Sequence, residues 1–94
     1  MESLTDISTL ILHGEVEAAI RQLDVLLQRE DYPEKARAYY LRGNAYRKQG
    51  NWQQALNNYR EAMDLDPDSP AHSAHRMVMD ILNFYNKLMI NGIH

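Results

Sequence analysis

Two helical patterns separated by Gly50-Asn51 occupy residues 36–69, ARAYYLRGNAYRKQGNWQQALNNYREAMDLDPDS. Both patterns place small and aromatic residues on one face, at the spacing of neighbours on a helix surface. The first face contains Tyr39, Gly43 and Tyr46, and the second contains Trp52, Ala55, Leu56, Tyr59, Ala62 and Met63. A glycine inside a helix costs about 1 kcal/mol relative to alanine, so Gly43 indicates a packing requirement. We therefore predict two antiparallel helices in close contact.

This spacing resembles the tetratricopeptide repeat, a helix-turn-helix unit of about 34 residues. The residues in register with the family pattern are Tyr39, Gly43, Tyr46, Ala55, Tyr59 and Pro67. Arg42 departs from the pattern, because the family usually has leucine there. The resemblance is to a small stand-alone bacterial member of the family, and it implies an all-α fold in which helical hairpins stack as an α-solenoid.

Residues 1–33 look like a weaker copy of the same unit. An apolar stripe from Leu4 to Ile11 is followed by Gly14, a helix stop, and then by a second stripe from Val16 to Leu27. The aromatic residues of the central repeat are absent, and Ile7 stands where a glycine would be expected. Terminal repeats are often atypical, so we predict a divergent first repeat.

A further helix is predicted for residues 70–91. Ser69 is a good N-cap residue, and Pro70 suits the first helical position. The expected fold is therefore a single domain over residues 1–94 with about five helices: a divergent repeat at 1–33, a well-matched repeat at 36–69 and a long C-terminal capping helix.

Composition narrows the class of protein. The chain has 94 residues, no cysteine and a net charge of −3. There is no apolar run of the ~18 residues needed to span a membrane. Glu2 and Asp6 are acidic, whereas the N-terminal region of a signal peptide is basic. No strongly basic face with interleaved aromatic residues is present. We expect a cytoplasmic protein that binds neither nucleic acid nor membrane.

The resemblance also implies a function and a site. In the family, the first helices of successive repeats line a concave groove that binds peptides or segments of other proteins. The groove residues expected on this basis are Leu4, Ser8, Arg37, Tyr40, Asn44, Arg47, Lys48 and Val78. An amide at Asn44 can bond a peptide backbone, and the bases can receive an acidic side chain or a C-terminal carboxylate. The alternative interpretation is an ordinary solvated helix surface.

Catalytic and metal chemistry find little support. His72 and His75 are three residues apart, but no third ligand is evident, so we expect no metal site. The sequence shows no general base, and no third group to orient it, that would activate one of the serines as a nucleophile. It also contains no glycine-rich phosphate-binding loop. We expect a protein that is not an enzyme and has no cofactor.

The last helix raises an alternative function. Its apolar residues cover more surface than a closing helix requires, and two repeats are fewer than the ~3 usually needed for stability. A self-associating structural protein, dimerising through this helix, would explain both points. The residues expected at such a dimer face are Met77, Phe84 and Leu88.

Overall fold

The computed structural model describes residues 3–92, and the side chains of residues 3–89. In that part of the chain there are five helices and no strand, which confirms the all-α fold predicted from the sequence. The helices are α1 (Leu4–Leu12), α2 (Val16–Leu27), α3 (Lys35–Lys48), α4 (Trp52–Leu65) and α5 (Ala71–Gly92). No helix within the described residues is long and apolar enough to cross a lipid bilayer.

The two helical hairpins turn in the same way. Gly14 and Gly50 have φ values of 83° and 77°, in the left-handed region that side chains other than glycine rarely adopt. After each glycine, a backbone N–H reaches five residues back: Glu15 to the carbonyl of Leu10 at 2.9 Å, and Asn51 to that of Tyr46 at 2.9 Å. This 6→1 bond terminates the preceding helix and reverses the chain.

Helix α3 lies between two hydrophobic cores. Its Ala38, Leu41 and Ala45 are buried in the first core, with the apolar faces of α1 and α2. On another side, Tyr39 and Tyr46 pack against the second core, which is formed by α4 and α5. Helix α3 is therefore covered by the first hairpin on one side and by α4 on another, and Arg37 and Lys48 are its only exposed residues.

Arg42, the departure from the family pattern, joins α3 to α2. Its guanidinium lies 2.8 Å from a carboxylate oxygen of Asp24, and its central carbon lies 5.8 Å from the centre of the Tyr46 ring. Where the family usually places a leucine, this chain has an ion pair between successive hairpins and a cation–π contact within α3.

Helix α5 closes the stack and extends beyond it. The Ser69 hydroxyl accepts the N–H of Ala71 at 3.0 Å, at the start of the helix. Ala71, Ala74 and Val78 are then buried in the core formed with α4. Because α5 has 22 residues and α4 has 14, the last helix is longer by about 12 Å.

Candidate functional site

A groove runs along α3, between α1 and the connection from α4 to α5. It contains two adjoining clefts, of about 380 Å³ and about 350 Å³, which share Ser8 and Leu41. The first cleft is completed by Ile11, Leu12, Asn44, Arg47 and Lys48, and the second by Arg37, Tyr40, Asp66, Ser69 and Pro70. Six of the eight residues that the sequence predicts for the groove line this single depression: Ser8, Arg37, Tyr40, Asn44, Arg47 and Lys48.

Basic side chains dominate the charge of this groove. The Arg37 guanidinium lies 3.7 Å from the carboxylate of Glu34, the N-cap residue of α3, and this exposed ion pair contributes little to stability. The Lys48 ammonium donates to the backbone carbonyl of Leu12 at 3.3 Å, which ties α3 to the end of α1. Arg47 is half-buried and forms no ion pair within the described residues. An anionic group entering the groove therefore meets a cation that is not already neutralised.

The side-chain oxygen of Asn44 has a structural role, and its NH₂ group is available to a ligand. The Tyr59 hydroxyl donates to its side-chain oxygen at 2.6 Å. Burial raises the pKa of Tyr59 to about 12, although the nearby charge of Arg47 acts in the opposite direction. Because the amide oxygen is engaged, the NH₂ group is the part of Asn44 that can donate to a ligand in the groove.

Tyr40 connects the groove to the second core. Its ring centre lies 6.1 Å from that of Tyr59, with the ring planes tilted by 38°. The side chain is half-buried and also packs against the first core. Tyr40 therefore gives the groove a flat apolar wall whose position is fixed by packing on both sides.

Two residues assigned to the groove from the sequence are unavailable to a partner. Leu4 is 3% exposed and Val78 is 0% exposed, because each faces a hydrophobic core. The end of the groove at the α4–α5 connection is formed by Asp66, Ser69 and Pro70, which the sequence analysis did not assign. The helix register of α5 pointed to Val78, but the helix starts alongside the groove and then turns its apolar side to α4.

His72 and His75 lie on α5, away from the groove. The Nε2 atoms of both are buried without a hydrogen-bond partner among the described residues. Burial lowers the pKa of His75, and the positive charge of Arg60 and the neighbouring His72 lower it further. No group of three or more side chains that could hold a metal ion occurs in the described part of the chain.

The outer side of α5 is apolar and open. Met77, Phe84 and Leu88, the residues assigned to a possible dimer face, are 45%, 61% and 51% exposed. A third cleft, of about 480 Å³, lies beside them and is also lined by Trp52 at the start of α4. A contiguous apolar surface of this kind is typical of an interaction site.

Stacked helical hairpins with a groove along their first helices define an α-helical repeat protein. A model of the tetratricopeptide repeat family matches residues 36–69. The solution NMR structure of protein BF1650 from Bacteroides fragilis is 55% identical, with a TM-score of 0.85, over 100% of this chain and 94% of that one. A search of curated proteins found no significant match. The chain belongs to the tetratricopeptide repeat family, whose repeats generally mediate protein–protein interaction.

Proposed function

We propose that the groove along α3 binds a short extended segment of another protein that carries an acidic side chain or a C-terminal carboxylate. The observation that supports this is the continuity of the two clefts, which places Arg37, Arg47 and Lys48 along one depression. The protein as a whole has a net charge of −3, so this concentration of bases is local. A local field of this sign attracts acidic segments to one face of the molecule.

Each groove residue has a distinct contribution to binding. The Arg47 guanidinium offers a fork of N–H donors to a carboxylate, and the free NH₂ of Asn44 donates to a peptide carbonyl one turn away. Tyr40 packs against an apolar side chain of the segment. From Arg37 to Lys48 the helix rises about 16 Å, which corresponds to about five residues of extended peptide. The predicted epitope is therefore short.

The groove is tested with charge-reversed variants that keep the fold. Arg37→Glu with Arg47→Glu reverses the field of the groove, while Arg21→Glu with Arg76→Glu makes the same change in net charge at exposed positions on α2 and α5. Asn44 is left unchanged, because its removal would leave the buried Tyr59 hydroxyl without an acceptor. Wild type and both variants are panned against a peptide display library, and melting temperatures are compared.

The expected result is enrichment of peptides with Asp, Glu or a free C-terminus by the wild type and by the Arg21/Arg76 variant. The Arg37/Arg47 variant should lose this enrichment at an unchanged melting temperature. Equal peptide selection by all three proteins would refute a role for the groove charges. Selection of purely apolar peptides by the wild type would refute the proposed ligand class.

We also propose self-association through the last helix as a second role. Its support is independent of the groove: the exposed apolar side chains on α5 lie on a side of the molecule where the described residues provide no further helix. Sedimentation equilibrium over a range of protein concentrations tests this role. A mass that stays monomeric throughout would refute it.

A further inference from the structure

Helix α5 occupies the position of the first helix of a hairpin, and the described residues contain no second helix antiparallel to it. In each of the two hairpins, the first helix is packed against a second helix that runs back along it, α2 on α1 and α4 on α3. Helix α5 follows α4 as a third first helix would, but no further helix runs back along it within residues 3–92. The side that such a helix would cover is the exposed apolar side.

The apolar residues on that side have coiled-coil spacing. Met77, Ile81, Phe84 and Leu88 are separated by four, three and four residues, the alternation of a and d positions in a heptad. Val78, by contrast, is completely buried against α4. The seam is thus separate from the face that holds α5 to the stack, and it is free to contact a second helix.

The cleft beside α5 has the composition of a hole in knobs-into-holes packing. Such a hole is formed by residues i, i+3, i+4 and i+7 of one helix. Met77, Asp80, Ile81 and Phe84 have this spacing and line the cleft, together with Trp52 and Tyr85. An aromatic side chain from another helix would therefore be surrounded by apolar groups on both sides.

Charge selects the direction of the second helix. Asp80 and Lys87 are the two charged residues between Met77 and Met89. They are one heptad apart, so both lie on the same edge of the seam. In an antiparallel pair the same edges of the two helices face each other, so Asp80 of one copy faces Lys87 of the other, twice by symmetry. In a parallel pair each would face the opposite edge, where Val78 and Tyr85 carry no charge.

We propose that two copies of this chain pair through α5 about a two-fold axis, with the helices antiparallel. The inference rests on the proposed self-association and specifies its geometry. Ile81 of each copy lies opposite Phe84 of the other, and Met77 lies opposite Leu88. Phe84 enters the hole formed around Ile81, and the two Asp80–Lys87 pairs flank the seam. The second α5 supplies the helix that a complete third hairpin would have.

The contact is small. The seam from Met77 to Leu88 is about 17 Å long, and a single helix pair of this length buries less than the ~800 Å² per partner of a standard interface. A reversible dimer with a dissociation constant of about micromolar order or weaker is expected. The groove of each copy remains open in the dimer, because it lies along α3 and not on the outer side of α5.

The seam is tested first with a pair of matched substitutions on α5. Sedimentation equilibrium of the full chain is measured from about 5 µM to about 1 mM, a range that covers the expected dissociation constant. Phe84→Glu should give a monomer throughout, and Asn86→Glu, which adds the same charge opposite the seam, should dimerise like the wild type. Far-ultraviolet circular dichroism checks that both variants keep their helices. Equal dimerisation of the two variants, or a monomeric wild type, would overturn the proposed seam.

The antiparallel direction is tested by exchanging the two charges. Asp80→Lys or Lys87→Asp alone should weaken dimerisation by about tenfold, because each places like charges across the seam. The double variant Asp80→Lys, Lys87→Asp should recover the wild-type dissociation constant within about threefold, since opposite charges face each other again. A wild type that dimerises while the double variant shows no recovery would retain self-association and overturn the antiparallel arrangement. That outcome is distinct from a monomeric wild type, which removes both.

Discussion

A Cβ atom added to Gly43 would lie 2.5 Å from Cε1 and 2.6 Å from Cδ1 of Tyr59. The Tyr59 ring cannot easily move away, because it is fully buried and its hydroxyl is bonded to Asn44. Two adjacent residues of α3 thus hold the Tyr59 ring of α4. Gly43 leaves space for the ring, and the side-chain oxygen of Asn44 accepts the hydrogen bond of its hydroxyl. The tight contact between α3 and α4 at Gly43 depends on this arrangement.

We predict that Gly43→Ala destabilises the protein by about 1–3 kcal/mol, because the added methyl group overpacks a filled space. Helix propensity acts in the opposite direction, by about 1 kcal/mol in favour of alanine. Urea denaturation measures the net effect. Ser73→Ala, on the exposed side of α5, is the control and should change stability by less than about 0.5 kcal/mol. A more stable Gly43→Ala variant would contradict the proposed contact.

We predict that Tyr59→Phe costs about 1 kcal/mol at neutral pH, because it removes the hydrogen bond to Asn44. The cost should shrink in alkali. The Tyr59 pKa is raised from 10.0 to about 12, so the folded state keeps a proton that the unfolded state releases. This contribution to stability is complete below pH 10 and is lost as pH rises towards 12.

Urea denaturation of wild type and Tyr59→Phe, at pH values on either side of 10, measures this change. Tyr85→Phe is the control, because Tyr85 is 54% exposed and its hydroxyl has no bond to Asn44. The control should match the wild type at each pH. A stability difference between wild type and Tyr59→Phe that does not vary with pH would argue against the raised pKa of Tyr59.

We predict a measurable coupling between Arg42 and Asp24. In a double-mutant cycle with Arg42→Leu and Asp24→Ala, the coupling free energy should be about 1 kcal/mol at low salt and should fall as salt is added. The pair is partly shielded, with side chains 27% and 39% exposed, and its atoms are 2.8 Å apart. Arg37 and Glu34 provide a control pair at 3.7 Å with more than half of each side chain exposed. Equal coupling free energies in the two pairs would contradict the role of the Arg42–Asp24 ion pair in joining α3 to α2.

The fold could be predicted because several spacings in residues 36–69 must hold at once for two helices to pack closely. Gly43 allows the contact, Gly50 allows the reversal with a positive φ, and Tyr59 fills the space that Gly43 leaves. Each requirement is visible in the sequence, because it restricts the residue type at one position. The ion pair of Arg42 was not visible in this way, since Asp24 lies in another helix with no fixed sequence spacing from it.

The groove was predictable in part. Helix register places Arg37, Tyr40 and Asn44 on one side of α3, and in the structure these residues line the two clefts. Register gives the direction of a side chain, however, and not how closely a neighbouring helix covers it. Leu4 and Val78 are buried for that reason. The bond from Tyr59 to Asn44 depends on side-chain rotamers on two helices, which a sequence pattern does not specify.

We predict that acidification destabilises the protein through His75. Burial, the charge of Arg60 and the neighbouring His72 lower its pKa from the ordinary value of 6.5, so the folded state binds this proton less tightly than the unfolded state does. Stability is therefore unaffected by this group above pH 6.5 and decreases as pH falls below that value towards the folded pKa. A proton on the buried Nε2 would also be a donor without an acceptor, since no hydrogen-bond partner lies within reach in the described structure.

An NMR titration of the histidine ring protons measures the pKa directly. The His75 midpoint should lie below 6.5, and Arg60→Gln should raise it without restoring the ordinary value, because burial is the largest cause of the shift. Glu61→Gln, an exposed change on the same helix, has no role in the shift and should leave the midpoint unchanged. A midpoint at or above 6.5 in the wild type would contradict the burial of this imidazole. A low midpoint that does not respond to Arg60→Gln would assign the whole shift to burial and His72, and would remove Arg60 as a cause.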